Sequence, residues 1–517
     1  MAKFLGRERF DKNANAVYQY DPATFNKLEL DSEAFKKLIS RFIRKHSTEQ
    51  VPRLEELKRY YLHDNAIHRR PDKSNPDQAD NRIASAYAQY VTIFMQGYIL
   101  GNPVKYENPD KALTDKINDF NSINHIDYHD SLIETDLSIY GRAYELVTLD
   151  GQARERAIKL RPENTFVVYD DSVDPAPLFG VRYYSLGFDT DVTYKVEVYL
   201  ANKNVTFTSK AANYGTLSAA KIVDVPFAEC QINEYKNNDD RIGDYENVLD
   251  NIDAYDLSQS ELANFQQDSN DAILVIKGNP YTGSATPEYQ RDEKTGEYLR
   301  DSQGDLIPVE NSEADVLTQM LRAHILVLDD NPNPDGAQPD AAWLVKSYDT
   351  EGTEKYKQRI VDDILRFTFT PDTNDQNFAG TQSGEAMKYK LLGNDNLRKV
   401  KERLLTAGFL RRLRLTSFSW GIKSAATTEV ESTTVTFTPN LPEDKQQQIA
   451  MATAIDGIAS DETVLGLISD VTGVDAKQEL KRLKKQHKDA AEEFNSGYPD
   501  PNAEQPKVGE PDGRSAE

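Results

Sequence analysis

The sequence predicts an α+β fold built from several packed regions, and three observations carry that expectation. Apolar residues recur every three or four positions up to about residue 140, every second position between 143 and 208, and every three or four again from 241. Two long amphipathic stretches, 241–267 and 354–369, bracket a short strand-and-turn region. At 517 residues the chain also exceeds what one hydrophobic core supports, so two to four packed regions are expected.

Taken in order, residues 1–29 are polar and predict a loosely held, flexible arm. Helical spacing follows at 32–45 and 51–62, the second with Pro52 in its first turn, where a missing N–H costs nothing. A polar linker, 70–80, leads to the longest uncharged run, 83–104, between Arg82 and Lys105. That run contains Ser85, Gln89, Thr92, Gln96 and Asn102, which a membrane span disfavours. Its stripe of Ile83, Tyr87, Val91, Phe94 and Tyr98 predicts a buried helix instead, stopped by Gly101-Asn102-Pro103. Further helices are expected at 111–121 and 128–140.

From Gly141 the period of two predicts short strands at 143–149, 157–160, 165–169, 179–185, 192–200 and 205–208. Turn-forming clusters separate them, as in an antiparallel meander. The stretch 241–267 then predicts a helix of about 40 Å, from the 1.5 Å rise per residue. Strands at 272–276, 325–328 and 343–346, with a charged hairpin at 288–310, lie between it and the 354–369 helix. Beyond Pro371 come a polar loop at 372–383, a long helix from 385 to about 412 and a strand at 433–438. Helices are expected at 443–458, 462–468 and 476–494, and the proline-rich, nearly apolar-free end from 498 predicts disorder.

Sixty-one basic against 85 acidic residues give a net charge of −24, which excludes wholesale wrapping of nucleic acid. Such a chain can still handle DNA that must slide past without sticking. The single Cys230 excludes an intrachain disulfide and fits a reducing compartment. The first residues, MAKFLGRERFDKN, lack the apolar segment of a secretory signal, so a soluble protein made in a cytoplasm is expected.

No P-loop, H-E-x-x-H or G-x-S-x-G motif occurs, and Cys230 has no neighbouring His to activate it. No enzyme, cofactor or metal is therefore expected. His125 and His129 have the i, i+4 spacing of helical metal ligands but no evident third ligand, with Asp127 and Asp130 read as surface acids. Asp170, Asp171 and Asp174 could hold a hard cation, but Pro175 and Pro177 make a turn the better reading.

With these elements in place, the chain resembles the portal (head-to-tail connector) proteins of tailed bacteriophages. It is most similar to the branch found in long, non-contractile-tailed phages of Gram-positive hosts. The likeness rests on the segment 81–104 with its GYILGNPV ending, and on HDSLIETDLSIYGRAYE at 129–145. It rests also on VVYDDSVD at 167–174 and SGEAMKYKL at 383–391, and spans about 30–490. The resemblance implies a portal-type fold in a homo-dodecameric ring at one capsid vertex, with an axial tunnel for double-stranded DNA. Its wing maps to 30–240 and 385–440, its stem to 241–268 and 350–370, and its clip to 269–349. The tunnel loop maps to 371–384, the crown to 441–495 and a disordered tail to 496–517.

Implied partners are further copies of the chain, the terminase large subunit, a scaffolding protein, the major capsid protein, a head-tail adaptor and transiently held DNA. No membrane is implied, and the location is the virion after assembly in the host cytoplasm. The rivals are another ring-forming virion component, such as a head-tail adaptor or baseplate protein, and, remotely, an acid-pair hydrolase.

On this resemblance Asn374, Asp375, Gln376, Asn377 and Phe378 become the tunnel-loop residues facing DNA, the alternative being an ordinary flexible connection. Two basic stretches are contact candidates. One is Arg398, Lys399, Lys401 and Arg403 with Arg411, Arg412 and Arg414; the other is Lys481, Arg482, Lys484 and Lys485. A solvated helix face is the bland reading of both. In the ring, apolar stripes of neighbouring stem helices are expected to meet, with acidic faces lining the channel.

Overall fold

The computed structural model describes residues 9–11, 13–73, 78–188, 191–218, 220–269, 273–277, 289–292, 295–307, 325–328, 340–344, 349–372, 391–424, 429–440, 445–472, 474 and 476–496. The chain divides into two compact units, 1–440 and 441–517.

The first unit opens with strand β1 (Tyr18–Gln19), helix α1 (Pro22–Phe25) and helix α2 (Glu33–Lys45). Asp21 caps α1 by accepting from the Ala23 and Thr24 amides, and Ser32 caps α2 through the Phe35 amide. A π-helical turn, His46–Gln50, continues α2 into α3 (Val51–Tyr61). Helix α4 (Tyr87–Leu100) is followed by β2 (Lys105–Glu107), α5 (Lys111–Asn124) and α6 (Ile126–Tyr140). Gly141 ends α6 at φ +78°, and a Cβ there would lie 2.0 Å from the Arg241 carbonyl oxygen, so glycine is required twice over.

The strands are β3 (Arg142–Leu149), β4 (Glu155–Leu160), β5 (Thr165–Tyr169), β6 (Pro177–Leu186), β7 (Thr193–Tyr199), β8 (Lys203–Ser209), β9 (Lys221–Asp224) and β10 (Ile232–Lys236). They form not one meander but two sheets, ordered β1-β5-β6-β7-β8-β9 and β10-β3-β4. Gly180 on β6 explains the close approach of the two: a Cβ there would meet the Ile232 side chain at 2.7 Å.

Of the loose arm expected over 1–29, residues 13–29 are instead held in the fold. β1 pairs in parallel with β5, Tyr18 opposite Val168, and Phe25 stacks on Phe179 at 4.8 Å. Tyr18 and Phe25 belong to the core that α2 builds with β5–β8, which includes Phe35, Ile39, Phe166 and Phe207. Burying those rings offsets the cost of ordering the polar residues between them.

Helix α7 (Leu249–Ser269) precedes β11 (Ile273–Lys277), β12 (Ile325–Leu328) and β13 (Asp340–Leu344). Those three strands form a sheet ordered β12-β11-β13, with β11 parallel to β12 and antiparallel to β13. At 21 residues α7 is about 32 Å long, shorter than the 40 Å expected. The difference lies in 241–248, where Arg241 adopts φ +56° and a 3-10 turn, Glu246–Val248, leads in.

Helix α8 (Thr350–Phe367) returns antiparallel to α7, as the antiparallel pairing of β11 with β13 requires, and α9 (Leu392–Ser424) is 33 residues long. A last strand, β14 (Thr434–Thr436), closes on β2. Two further large cores lie in this unit, beside two smaller clusters around Ile232 and Phe227: α3, α4, α6, α7 and α8 share Leu57, Val91, Ile252, Ile360 and Ile364. The ends of α4, α5, α6, β3 and α9 share Ile99, Ile117, Ile133 and Phe409. The second unit contains α10 (Lys445–Ile455), α11 (Asp461–Thr472) and α12 (Ala476–Ser496).

Candidate functional site

Helix α7 buries a polar face. Asp256, Ser260 and Asn264, four residues apart, are all buried. They meet the extended segment 81–85, whose amides point at them in alternation. Asn81 N donates to Asn264 Oδ1 at 2.6 Å, Ile83 N to Ser260 Oγ at 2.9 Å and Ser85 N to Asp256 Oδ1 at 2.8 Å. Four helical residues rise about 6 Å and two extended residues about 6.6 Å, so the two ladders keep step.

This pairing corrects the expected helix start. Residues 81–86 are not helical, and α4 begins at Tyr87, because the amides of Ile83 and Ser85 are taken by α7. Asn65 joins the same site, its Nδ2 donating to Asp256 Oδ2 at 2.6 Å and to the Ser85 carbonyl at 3.0 Å. Burial pushes the Asp256 carboxyl above its usual range.

The outward faces of the two helices differ in charge. Lys355, Gln358, Arg359, Asp362, Asp363 and Arg366 line an open groove of about 460 Å³ along α8. Helix α7 contains no Lys or Arg. Three of its acids are engaged within the chain: Arg9 donates to Asp250 and Asp253 at 2.8 and 2.9 Å, and Arg70 to Glu261 at 2.7 Å.

Most of the basic stretch on α9 points inward. Lys401 is 2% exposed and its ammonium lies 2.7 Å from both Glu134 and Asp244. Burial alone would lower its pKa, and the two carboxylates reverse that and raise it. Arg412 is 1% exposed and pairs with Asp130 and with Glu145, the latter at 2.7 Å. Glu145 also receives the Tyr235 hydroxyl at 2.7 Å and lies 2.8 Å from His129 Nε2. Burial would raise Glu145, but the Arg412 charge and these hydrogen bonds hold it at about 2.

Arg398 is buried between Asp395 and Glu402. Arg411 donates to the Cys230 and Ile232 carbonyls, and Arg414 pairs with Glu229. Arg398, Lys401 and Arg412 are neither a solvated helix face nor an open contact patch, because their charges are matched inside the fold, whereas Arg414 and Glu229 pair at the surface. Lys399 is half exposed on Asp395, and Arg403 is exposed. On α12, Lys481, Arg482, Lys484 and Lys485 are all exposed, with Arg482 on Glu479 at 3.2 Å.

The tunnel-loop candidates Asn374, Asp375, Gln376, Asn377 and Phe378 lie outside the described residues, as does the tail from 497. The histidine pair is divided: His129 enters the Glu145 network while His125 is exposed at the junction of α5 and α6. Asp130, expected on the surface, is buried on Arg412. Asp170 accepts from Ser172 Oγ at 2.7 Å and from the Ala176 amide at 3.1 Å, the bonding of a turn. Among the described residues no group of three His, Cys, Asp or Glu could hold a metal ion, and no helix is long and apolar enough to cross a membrane.

Asp256, Ser260, Asn264, Glu134, Glu145 and Asp244 were not singled out from sequence. The first three carried only a weak signal, a four-residue spacing on a helix where most other positions are polar too; the acids carried none, since any acidic chain has many.

The family described as "Phage portal protein, SPP1 Gp6-like" matches residues 40–493. No curated protein matches. Among solved structures, a chain of the virion of a native gene transfer agent particle is similar with 11% identity and a TM-score of 0.35, over 80% of this chain and 92% of that one. A chain from the neck of an empty gene transfer agent particle is similar with 12% identity and a TM-score of 0.36, over 80% and 93%.

Proposed function

The chain belongs to the phage portal protein family, and from that premise we propose that it closes into a dodecameric ring at the unique capsid vertex. The ring conducts double-stranded DNA during packaging and ejection. The observation that carries this reading is the extent of the family match, which runs from α2 to α12. The role is structural rather than catalytic, in the virion.

The stem pair α7 and α8 forms the wall of the conduit. An acidic chain suits a conduit, because DNA affinity comes mainly from Lys and Arg, and too many of them would hold the passing duplex. The loop at 371–384, with Asn374–Phe378 at its centre, is the DNA-facing collar. Lys481, Arg482, Lys484 and Lys485 on α12 supply the exposed positive charge for transient backbone contact, with Lys399 and Arg403 as lesser contributors. Arg398 and Lys401 take no part, being engaged with carboxylates inside the wing. The packaging ATPase and then a head-tail adaptor dock on the clip, while scaffolding and major capsid proteins surround the wing.

Deleting residues 374–378 tests the conduit. Rings of the shortened chain should still form, while capsids assembled on them should package or retain less DNA. Normal genome content in those capsids would remove the role given to the loop.

A further inference from the structure

The stem helices spend their apolar faces inside one subunit. Ile252 of α7 and Ile360 and Ile364 of α8 lie in a single core with residues of the wing. The expectation that apolar stripes meet between neighbouring copies therefore gives way to a different question, namely what the outward faces offer.

On α8 the outermost line is Lys355, Arg359, Asp362 and Arg366, spaced i, i+4, i+7, i+11. The Lys355 and Arg366 side chains are 76% and 72% exposed. Their ion pairs, with Glu351 at 2.6 Å and Asp363 at 3.9 Å, are surface pairs of small worth. Tyr356 and Phe367, both more than half exposed, flank this line. On α7 the matching exposed positions are Asp250, Leu257 and Glu261, spaced i, i+7, i+11, with Ala254 between them partly buried against the core and no base on the helix. The Asp250 side chain is 90% exposed even with Arg9 on it, Leu257 is an exposed apolar residue, and Glu261 stays 39% exposed beside Arg70.

We propose that the Lys355–Arg366 face of α8 docks against the Asp250–Glu261 face of α7 in a second copy of this chain. The inference rests on the ring reading above and names the surface that closes it. Two different, complementary flanks are what a head-to-tail interface needs if it is to close into a ring.

The spacing supports the match. Within one subunit α7 and α8 are antiparallel, with Lys357 Nζ 5.9 Å from the centre of the Tyr255 ring. A cyclic ring keeps every copy at the same height, so the neighbour's α7 is antiparallel to α8 as well. In that arrangement Lys355 reaches for Glu261 and Arg366 for Asp250, each offset by one helical turn. That offset is about 6 Å, within the span of an extended Lys or Arg. Leu257 sits on the same outer line, in reach of the exposed Tyr356.

Charge exchange tests the pairing. One variant carries Lys355→Glu and Arg366→Glu, the other Asp250→Lys and Glu261→Lys. Either alone should lower the closed-ring population by more than about tenfold, since it faces like charge with like charge. An equimolar mixture should regain rings in which the two variants alternate, read by native mass spectrometry. Rings formed by either variant alone at the unaltered chain's level, or no recovery on mixing two folded variants, would overturn the proposal.

Where a reversed variant fails to show its far-ultraviolet dichroism, Lys355→Gln with Arg366→Gln takes its place. That milder variant should close rings several-fold less well at 0.1 M salt, by loss of charge attraction. Unchanged closure would be a refutation. Failure of the unaltered chain to form rings would instead bring down the ring reading itself.

Discussion

Ser85 N donates to Asp256 Oδ1 at 2.8 Å, across 171 residues of sequence, and this bond sets where α4 can begin. An amide held by a neighbouring helix cannot stay in an i to i−4 ladder of its own. Segment 81–86 therefore stays non-helical, and the chain entering α4 is laced to α7 by hydrogen bonds from alternate amides. The lacing fixes the direction of α7 relative to α4, which the proposed ring would require of every copy.

Replacing Asp256 with Ala leaves the Ser85 amide and one Asn65 donor without their acceptor. Each buried unsatisfied group costs about 1–3 kcal/mol. Urea unfolding should show a loss of that size, and hydrogen exchange at Ser85 should quicken ahead of the amides of α4. An unchanged midpoint with unchanged exchange would mean that the lacing is incidental.

Lys401→Met removes the only charge facing Glu134 and Asp244 among the described residues. Breaking a buried pair from one side costs about 3–5 kcal/mol, because the remaining carboxylates stay desolvated. Lys399→Met, on the exposed side of the same helix, should change stability by no more than about 0.5 kcal/mol. Equal effects of the two substitutions in denaturant titrations would contradict the burial argument.

His46 gives stability a pH dependence of known sign. Its ring is buried, with Nδ1 2.8 Å from the Tyr183 hydroxyl. Burial first, and the Arg142 charge second, lower its pKa from 6.5 to about 3. Between those values the unfolded chain binds a proton that the folded chain refuses, so stability falls as pH drops from 6.5 towards 3. The His46 share is at most about 1.4 kcal/mol per pH unit. His46→Gln, which keeps a polar partner for Tyr183, should flatten this part of the profile; an unaltered slope would assign it to other groups.

Gly141→Ala should destabilise by more than about 1 kcal/mol, since the position needs a left-handed φ and has no room for a methyl. A thermal melt within error of the unaltered chain would show that the α6–β3 turn can shift.

How far the fold could be read from sequence depended on how local its causes were. Ser32 as a cap, Pro52 in a first turn and the clean alternation at 193–199 are local, and α2, α3 and β7 fall where those signals put them. The start of α4 depended on Asp256, far along the chain, and so went one turn astray. β1 is two residues long and exists only because β5 offers an edge. The α9 cations carried the same ambiguity: position on a helix says nothing of burial when their acids, Asp130, Glu134, Glu145 and Asp244, lie 157 to 282 residues away. Four motifs in the right order conveyed the family, although the last, 383–391, lies almost wholly outside the described residues.

Electron microscopy of the purified chain tests the central claim most directly. Rings of about twelve subunits with an axial hole wide enough for a duplex are the predicted result. A compact monomer, or a closed oligomer with no central hole, would contradict the account.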